Sequence, residues 1–253
     1  MGSIELGPFR DSEESFISGT LLLANSQMHP VHESQNLFLE GPAGRLEAIL
    51  WTPTQSVLPL LAAVICHPHP LFGGTMHNKV VYNAAKTIDA LGIPVLRFNF
   101  RGAGLSGGEH DKGRGEQDDV QAALDYLAAQ FSGIPLLLAG FSFGSFVGLR
   151  VGCRDARVSE LIGIGIPVNS TDFSFLADCP KPKLFVHGSN DKFGERKKVE
   201  ETVAALSGGN RLVVVEGADH FFAGHLDEFN AAIKAWLTGR HPALASTQAD
   251  SPR

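Results

Sequence analysis

The chain has 253 residues, 43% of them hydrophobic and 19% charged, with 28 Gly and 14 Pro, which suits one α/β domain around a large buried sheet and excludes a wholly disordered chain. A net charge of −6, with only Arg196-Lys197-Lys198 as a short basic run that reads as a solvated helix face, excludes a nucleic-acid partner. Three cysteines, Cys66, Cys153 and Cys179, are too few and too scattered for a disulfide framework or a paired metal spacing.

In chain order, residues 1–33 start acidic and lack sustained periodicity, which predicts a loosely ordered extension. Leu21-Leu22-Leu23-Ala24 is far too short to span a bilayer and no export signal is visible, so a cytoplasmic chain with no membrane partner is expected. Residues 35–40 and 44–51, separated by Gly41-Pro42-Ala43, read as an antiparallel hairpin at a sheet edge. The continuous apolar run 60–66 reads as a central strand buried on both faces. Helical spacing of Val80, Val81, Ala84, Ala85, Ile88 and Leu91 predicts a helix over 78–91, stopped by Gly92. A strand at 94–100, a Gly-rich loop, a helix over 117–130 and a strand at 134–140 follow.

The second half repeats the alternation. A helix is predicted over 143–153, strands at 160–166 and 183–188, a helix over 195–206, a strand at 211–217 and a closing helix over 221–237. The result is a single domain over residues 34–238, an eight-stranded mostly parallel sheet with helices on both faces, followed by a tail at 239–253. Ligands of such sheets gather at the carboxyl ends of the strands.

Gly140-Phe141-Ser142-Phe143-Gly144 fits Gly-x-Ser-x-Gly, a sharp strand-to-helix turn that presents a strained serine at the sheet edge. A Gly-rich chain of this length produces the pattern by chance roughly once in five. This one shows it twice: Gly104-Leu105-Ser106-Gly107-Gly108 matches too, but the polar, Gly-rich stretch after it cannot begin a packed helix. Only Ser142 has both an apolar strand before it and an amphipathic helix after it, which makes it the candidate nucleophile.

An alcohol needs an imidazole base within hydrogen-bond reach, and the base needs an anion to fix its tautomer. Asp191 follows one apolar strand and His220 follows the last, so the order serine, acid, histidine falls on three strand ends. Asp219 is the rival acid, although a side chain next to the base on a turn diverges from it. His67, His69 and His77 are not expected to bind metal, because two prolines interrupt them and no carboxylate or thiolate array is near. His187 reads as a packed strand-end histidine.

A tetrahedral alkoxide needs two backbone N–H donors. Phe143, next after the nucleophile, is expected to give one. The loop His67-Pro68-His69-Pro70-Leu71-Phe72-Gly73-Gly74 is expected to give the other; Pro68 and Pro70 have none, Leu71 is preferred, and Phe72 stands second.

The combination HPHPLFGGTMHNKVV, FNFRGAGLSGG, GFSFGS, HGSND and GADHFF, spread from about Gln35 to Trp236, resembles the small lidless bacterial α/β-hydrolases related to dienelactone hydrolases and carboxylesterases. The resemblance implies the α/β-hydrolase fold, a Ser142–His220–Asp191 triad, esterase-like activity and no metal or organic cofactor. It also implies a cap reduced to residues 167–182. Serine in place of the cysteine of dienelactone hydrolases speaks against the specific dienelactone reaction. The expected activity is hydrolysis of a small or short-acyl carboxylic ester through an acyl-enzyme, with Phe72, Phe141, Phe143 and Phe222 as acyl-pocket candidates. A peptidase or acyltransferase of the same fold, or a ligand-binding scaffold, are the alternatives.

Overall fold

The computed structural model describes residues 32–54 and 58–246. The expectations for residues 1–31 and for the end of the tail, 247–253, lie outside the described residues. One eight-stranded sheet has the order β1-β2-β4-β3-β5-β6-β7-β8. Its strands are β1 (His32–Leu39), β2 (Leu46–Pro53), β3 (Ala62–Cys66), β4 (Val95–Phe98), β5 (Leu136–Phe141), β6 (Val158–Ile164), β7 (Lys183–Gly188) and β8 (Asn210–Val215).

The β1–β2 hairpin is antiparallel, with His32 opposite Pro53 and Leu39 opposite Leu46, and it joins the sheet through an antiparallel β2–β4 pair. All pairs from β4 across to β8 are parallel. The first strand starts at His32, inside the stretch expected to be extension, because the ring of His32 stacks on Trp51 at 4.5 Å and its Nδ1 lies 2.8 Å from Asp89 Oδ2.

Strand pleating splits the core in two. Ala62, Val64 and Cys66 of β3 face one cluster, with Leu124 and Val147. Ala63 and Ile65 face the other, with Val81 and Ile233. Side chains that alternate between two apolar layers explain why the central strands read as unbroken hydrophobic runs. The first layer is covered by α2 (Gly115–Gln130), α3 (Phe143–Arg154) and α4 (Arg196–Ala204), the second by α1 (Lys79–Asp89) and α5 (Leu226–Arg240).

Two elements depart from expectation. The closing helix starts at Leu226 rather than 221, because Phe222 and Gly224 take left-handed φ angles of 54° and 77° that a right-handed helix does not admit. Past it, α6 (Ala243–Ser246) continues into the expected tail and buries Leu244.

The chain passes from β3 to its neighbour β4 on one side, then crosses to β5 on the other. The loops leaving β3 and β5 therefore part toward opposite faces, and the crevice between them is the place where a ligand site forms in an open α/β sheet.

Candidate active site

Ser142 stands in that crevice. It separates β5 from α3, and its backbone is held at φ 53° and ψ −118°, a conformation that costs a non-glycine residue on the order of 1–3 kcal/mol. The turn is pinned by the Ser142 N–H donating to Ile164 O at 2.9 Å and by Ser142 O accepting from Ser145 N at 2.9 Å. The flanking glycines are steric requirements: a Cβ at Gly140 would overlap the Gly144 carbonyl, and one at Gly144 would overlap the carbonyl oxygens of Cys66 and His67. That second approach also brings the β3 loop up against the start of α3.

Asp191 and His220 come together across the loops after β7 and β8. His220 Nδ1 lies 2.7 Å from Asp191 Oδ2 with the carboxylate fully buried, while Asp191 Oδ1 accepts from Phe193 N at 2.8 Å. The imidazole is clamped by the rings of Phe141 at 4.9 Å, Phe193 at 4.5 Å and Phe221 at 5.2 Å. Phe141 is the residue before Ser142, so the ring that orients the histidine sits at the foot of the serine turn. The serine turn thus follows directly on a ring that packs against an imidazole whose Nδ1 rests on a buried carboxylate, and general-base activation of an alcohol requires an imidazole oriented in this way.

The rival acid is used elsewhere. Asp219 Oδ1 accepts from Phe221 N at 2.9 Å and Ala223 N at 3.1 Å, which closes its own turn. His187 is buried and sits 2.7 Å from the Gly194 carbonyl through Nε2, and burial lowers its pKa. Ser106 Oγ donates to Asn99 O at 2.7 Å and accepts from Glu47 N at 2.9 Å, the work of a loop tie.

The β3 loop differs from expectation in its free donors. Leu71 N–H is directed to His69 Nδ1 at 3.3 Å and Phe72 N–H to His69 O at 3.1 Å, both within a short 3₁₀ turn. The N–H of His69, placed between the two prolines and passed over in the sequence, has no acceptor among the described residues. Its ring lies 4.8 Å from that of Phe143. His67 accepts from Phe100 N at 2.9 Å through Nε2, so its Nδ1 carries the proton and donates to Pro68 O at 2.6 Å. Burial pulls its pKa down to about 4, and the neutral ring serves as a rigid brace under the loop.

Of the aromatic candidates, Phe141 and Phe222 are fully buried, the latter against Phe229 at 4.8 Å, which makes Phe222 core rather than pocket. Phe72, Leu71, Phe193 and Phe221 are exposed around the crevice. The reduced cap, residues 167–182, folds down onto α3, with Phe173 and Phe175 packed on Phe146 at 6.2 and 6.0 Å, and Ser142 stays partly exposed. Among the described residues no helix is long and apolar enough to cross a membrane, and no group of three or more His, Cys, Asp or Glu side chains is gathered as a metal site would need.

Comparison with known proteins agrees with this architecture. Residues 64–231 match the profile of the alpha/beta hydrolase domain family. An alpha-beta serine hydrolase homologue from Coxiella burnetii is 38% identical, with a TM-score of 0.76 over 80% of this chain and 97% of that one. A serine hydrolase without a lid from Xanthomonas campestris is 36% identical, with a TM-score of 0.75 over 82% and 94% of the two chains. An uncharacterised protein of Rickettsia prowazekii (strain Madrid E) is 39% identical over 210 residues, 79% of this chain and 87% of that protein. By fold, by crevice and by kinship, the chain belongs to the alpha/beta hydrolase family and stands with its lidless bacterial serine hydrolases.

Proposed function

We propose that the protein is a serine esterase that cleaves small or short-acyl carboxylic esters through an acyl-enzyme. His220 Nε2 takes the proton of Ser142 Oγ, the oxygen attacks the ester carbonyl carbon, and Asp191 holds Nδ1–H and stabilises the imidazolium. The alkoxide is received by the N–H of Phe143 and, in place of Leu71, by that of His69, the donor of the β3 loop left without an acceptor. His220 then protonates the departing alcohol, and water activated by the same base cleaves the acyl-serine. Removing one such N–H donor costs on the order of 100-fold in kcat in comparable sites.

The observation that carries the reading is the buried Asp191–His220 pair, 2.7 Å apart and clamped by Phe141 beside the strained Ser142. The folded-down cap supports an open site. Its exposed apolar rim, with Phe72 at 86% and Leu71 at 69% exposure, offers contact to a short acyl chain but no tunnel for a long one. A p-nitrophenyl butyrate assay alongside triolein emulsions tests this: rapid butyrate turnover with little triolein cleavage is expected, and faster triolein cleavage contradicts the open-site reading.

A further inference from the structure

A second carboxylate–imidazole pair lies on the other flank of the nucleophile's helix. Glu116, in the first turn of α2, has a fully buried carboxylate that accepts from Asp111 N and Gly113 N, both at 2.8 Å, and lies 2.6 Å from His110 Nδ1. The His110 side chain is only 8% exposed. Its Nδ1 is fully enclosed and, although at ion-pair distance from Glu116, is not aligned for a hydrogen bond, whereas Nε2 is not enclosed and has no acceptor among the described residues. The loop that carries it takes left-handed turns at Gly108, Lys112 and Gly113.

His69 has a matching disposition. It receives the Leu71 N–H on Nδ1, so its neutral ring carries the proton on Nε2, which also faces no protein acceptor among the described residues. The two rings are 4.7 Å apart, and both lie against the ring of Phe143, at 4.8 Å for His69 and 5.5 Å for His110. Two imidazoles thus meet the protein through Nδ1, His69 at the Leu71 N–H and His110 at the Glu116 carboxylate, and have no protein acceptor on Nε2 among the described residues. They sit within one aromatic ring of the residue whose N–H is assigned to the reacting carbonyl.

We propose that His110 and His69 form a two-point subsite for an anionic oxygen group of the substrate, so that the preferred esters carry a carboxylate a few atoms from the scissile bond. The proposal rests on the esterase reading for where that bond lies. A carboxylate accepts two hydrogen bonds side by side, and paired N–H donors reward it over a methyl group of similar size. The buried Glu116 behind His110 sets a carboxylate charge against this ring, as Asp191 does against His220, without the aligned hydrogen bond of the Asp191 pair. At 2.6 Å its charge favours a proton on Nδ1, leaving the outer nitrogen for the ligand.

The test pairs monomethyl glutarate, which has a free carboxylate, with methyl hexanoate, matched in length, and follows proton release at constant pH. The wild-type protein is expected to favour the glutarate ester in kcat/KM by about tenfold or more, carried mainly by KM. His110→Phe keeps a ring packed on Phe143 but removes both nitrogens, and His110→Gln keeps a donor toward Glu116. Each is expected to erase the preference while methyl hexanoate turnover changes by less than about threefold. Binding is read independently of turnover from the Nε2 resonances of His69 and His110 in 15N-labelled protein, which should shift saturably with glutarate and not with hexanol. If neither ester is cleaved, the esterase reading fails while the resonance titration still decides the subsite. Equal handling of two cleaved esters, an equal fall of both in the variants, or resonances that ignore glutarate overturns it.

Discussion

The two ends of the sheet use the same chemistry for different ends. At the amino end, Glu160 at the start of β6 is buried and its Oε1 binds both Arg240 Nε, at 2.8 Å, and His241 Nε2, at 2.9 Å. Asp89, at the end of α1, holds His32 in the same way. These pairs tie the last turn of α5 and the first strand to the core. At the carboxyl end, Asp191–His220 and Glu116–His110 are built with equally short contacts, and neither Nε2 has an acceptor among the described residues. All four rings are held through one nitrogen, so what separates the two groups is place: only His220 and His110 lie toward the edge where ligands of an open α/β sheet gather. His67, at the carboxyl end but bonded through both nitrogens, belongs with the fastenings.

Predictions that would break or sharpen this contrast run from large to small. Asp191→Asn keeps the Phe193 N–H bond but presents an amide N–H to His220 Nδ1, which forces the proton onto Nε2. A fall of roughly 10⁴ in kcat is expected from the wrong tautomer, with an unchanged fold by circular dichroism. Asp219→Asn should fall far less, and comparable losses in the two would place the acid wrongly.

His67 gives an acid window. Its folded pKa is about 4 against 6.5 for a free imidazole, so the unfolded chain binds the proton first and stability falls as pH drops between those values, being fully present above about 6.5. The loss is roughly 3 kcal/mol. Denaturant midpoints measured from pH 7 to 4 on the wild type and His67→Asn check it; equal slopes in the two would contradict the bracing role.

At the amino end, Glu160→Ala should cost about 2 kcal/mol by releasing Arg240 and His241, with kcat unchanged. A matching loss of activity would blur the distinction between the ends. The smallest effect is sought at Gly165, where φ is +52° and a Cβ would lie 3.2 Å from His220 Cε1 and Nδ1. Gly165→Ala should shift the imidazole by a few tenths of an ångström and lower kcat about tenfold, read in the same ester assay with thermal unfolding as control.

The residues made much of this legible. The apolar run 60–66 read as a two-face-buried strand, which holds over Ala62–Cys66 while Leu60 is exposed, and a serine turn between a strand and an amphipathic helix singled out Ser142 over Ser106 as the candidate. Asp191 and His220 were readable because strand ends in such a sheet share one edge. Strand order was not: the crossing that puts β4 outside β3 is a long-range packing choice with no local pattern. The early stop of the last helix hinged on Phe222 in a left-handed turn, which no propensity announces. His69 was hidden by its prolines, since eliminating Pro68 and Pro70 drew attention past the residue between them. Glu116 and His110 lay in a stretch whose glycines and charges read as solvated loop, and only burial shows a carboxylate used as an internal anchor. A Glu three residues after a Gly-rich turn, accepting that turn's N–H groups, is the signal that would have found it.

The central claim is that Ser142 is the nucleophile. Reaction of the purified protein with a fluorophosphonate probe, with the adduct located by mass spectrometry, tests it most directly, with Ser142→Ala and Ser106→Ala run in parallel alongside the butyrate assay. A single adduct on Ser142, with labelling and turnover lost in Ser142→Ala and kept in Ser106→Ala, is the predicted result. Folded, ester-cleaving protein that takes no label, or takes it at another serine, would contradict the account.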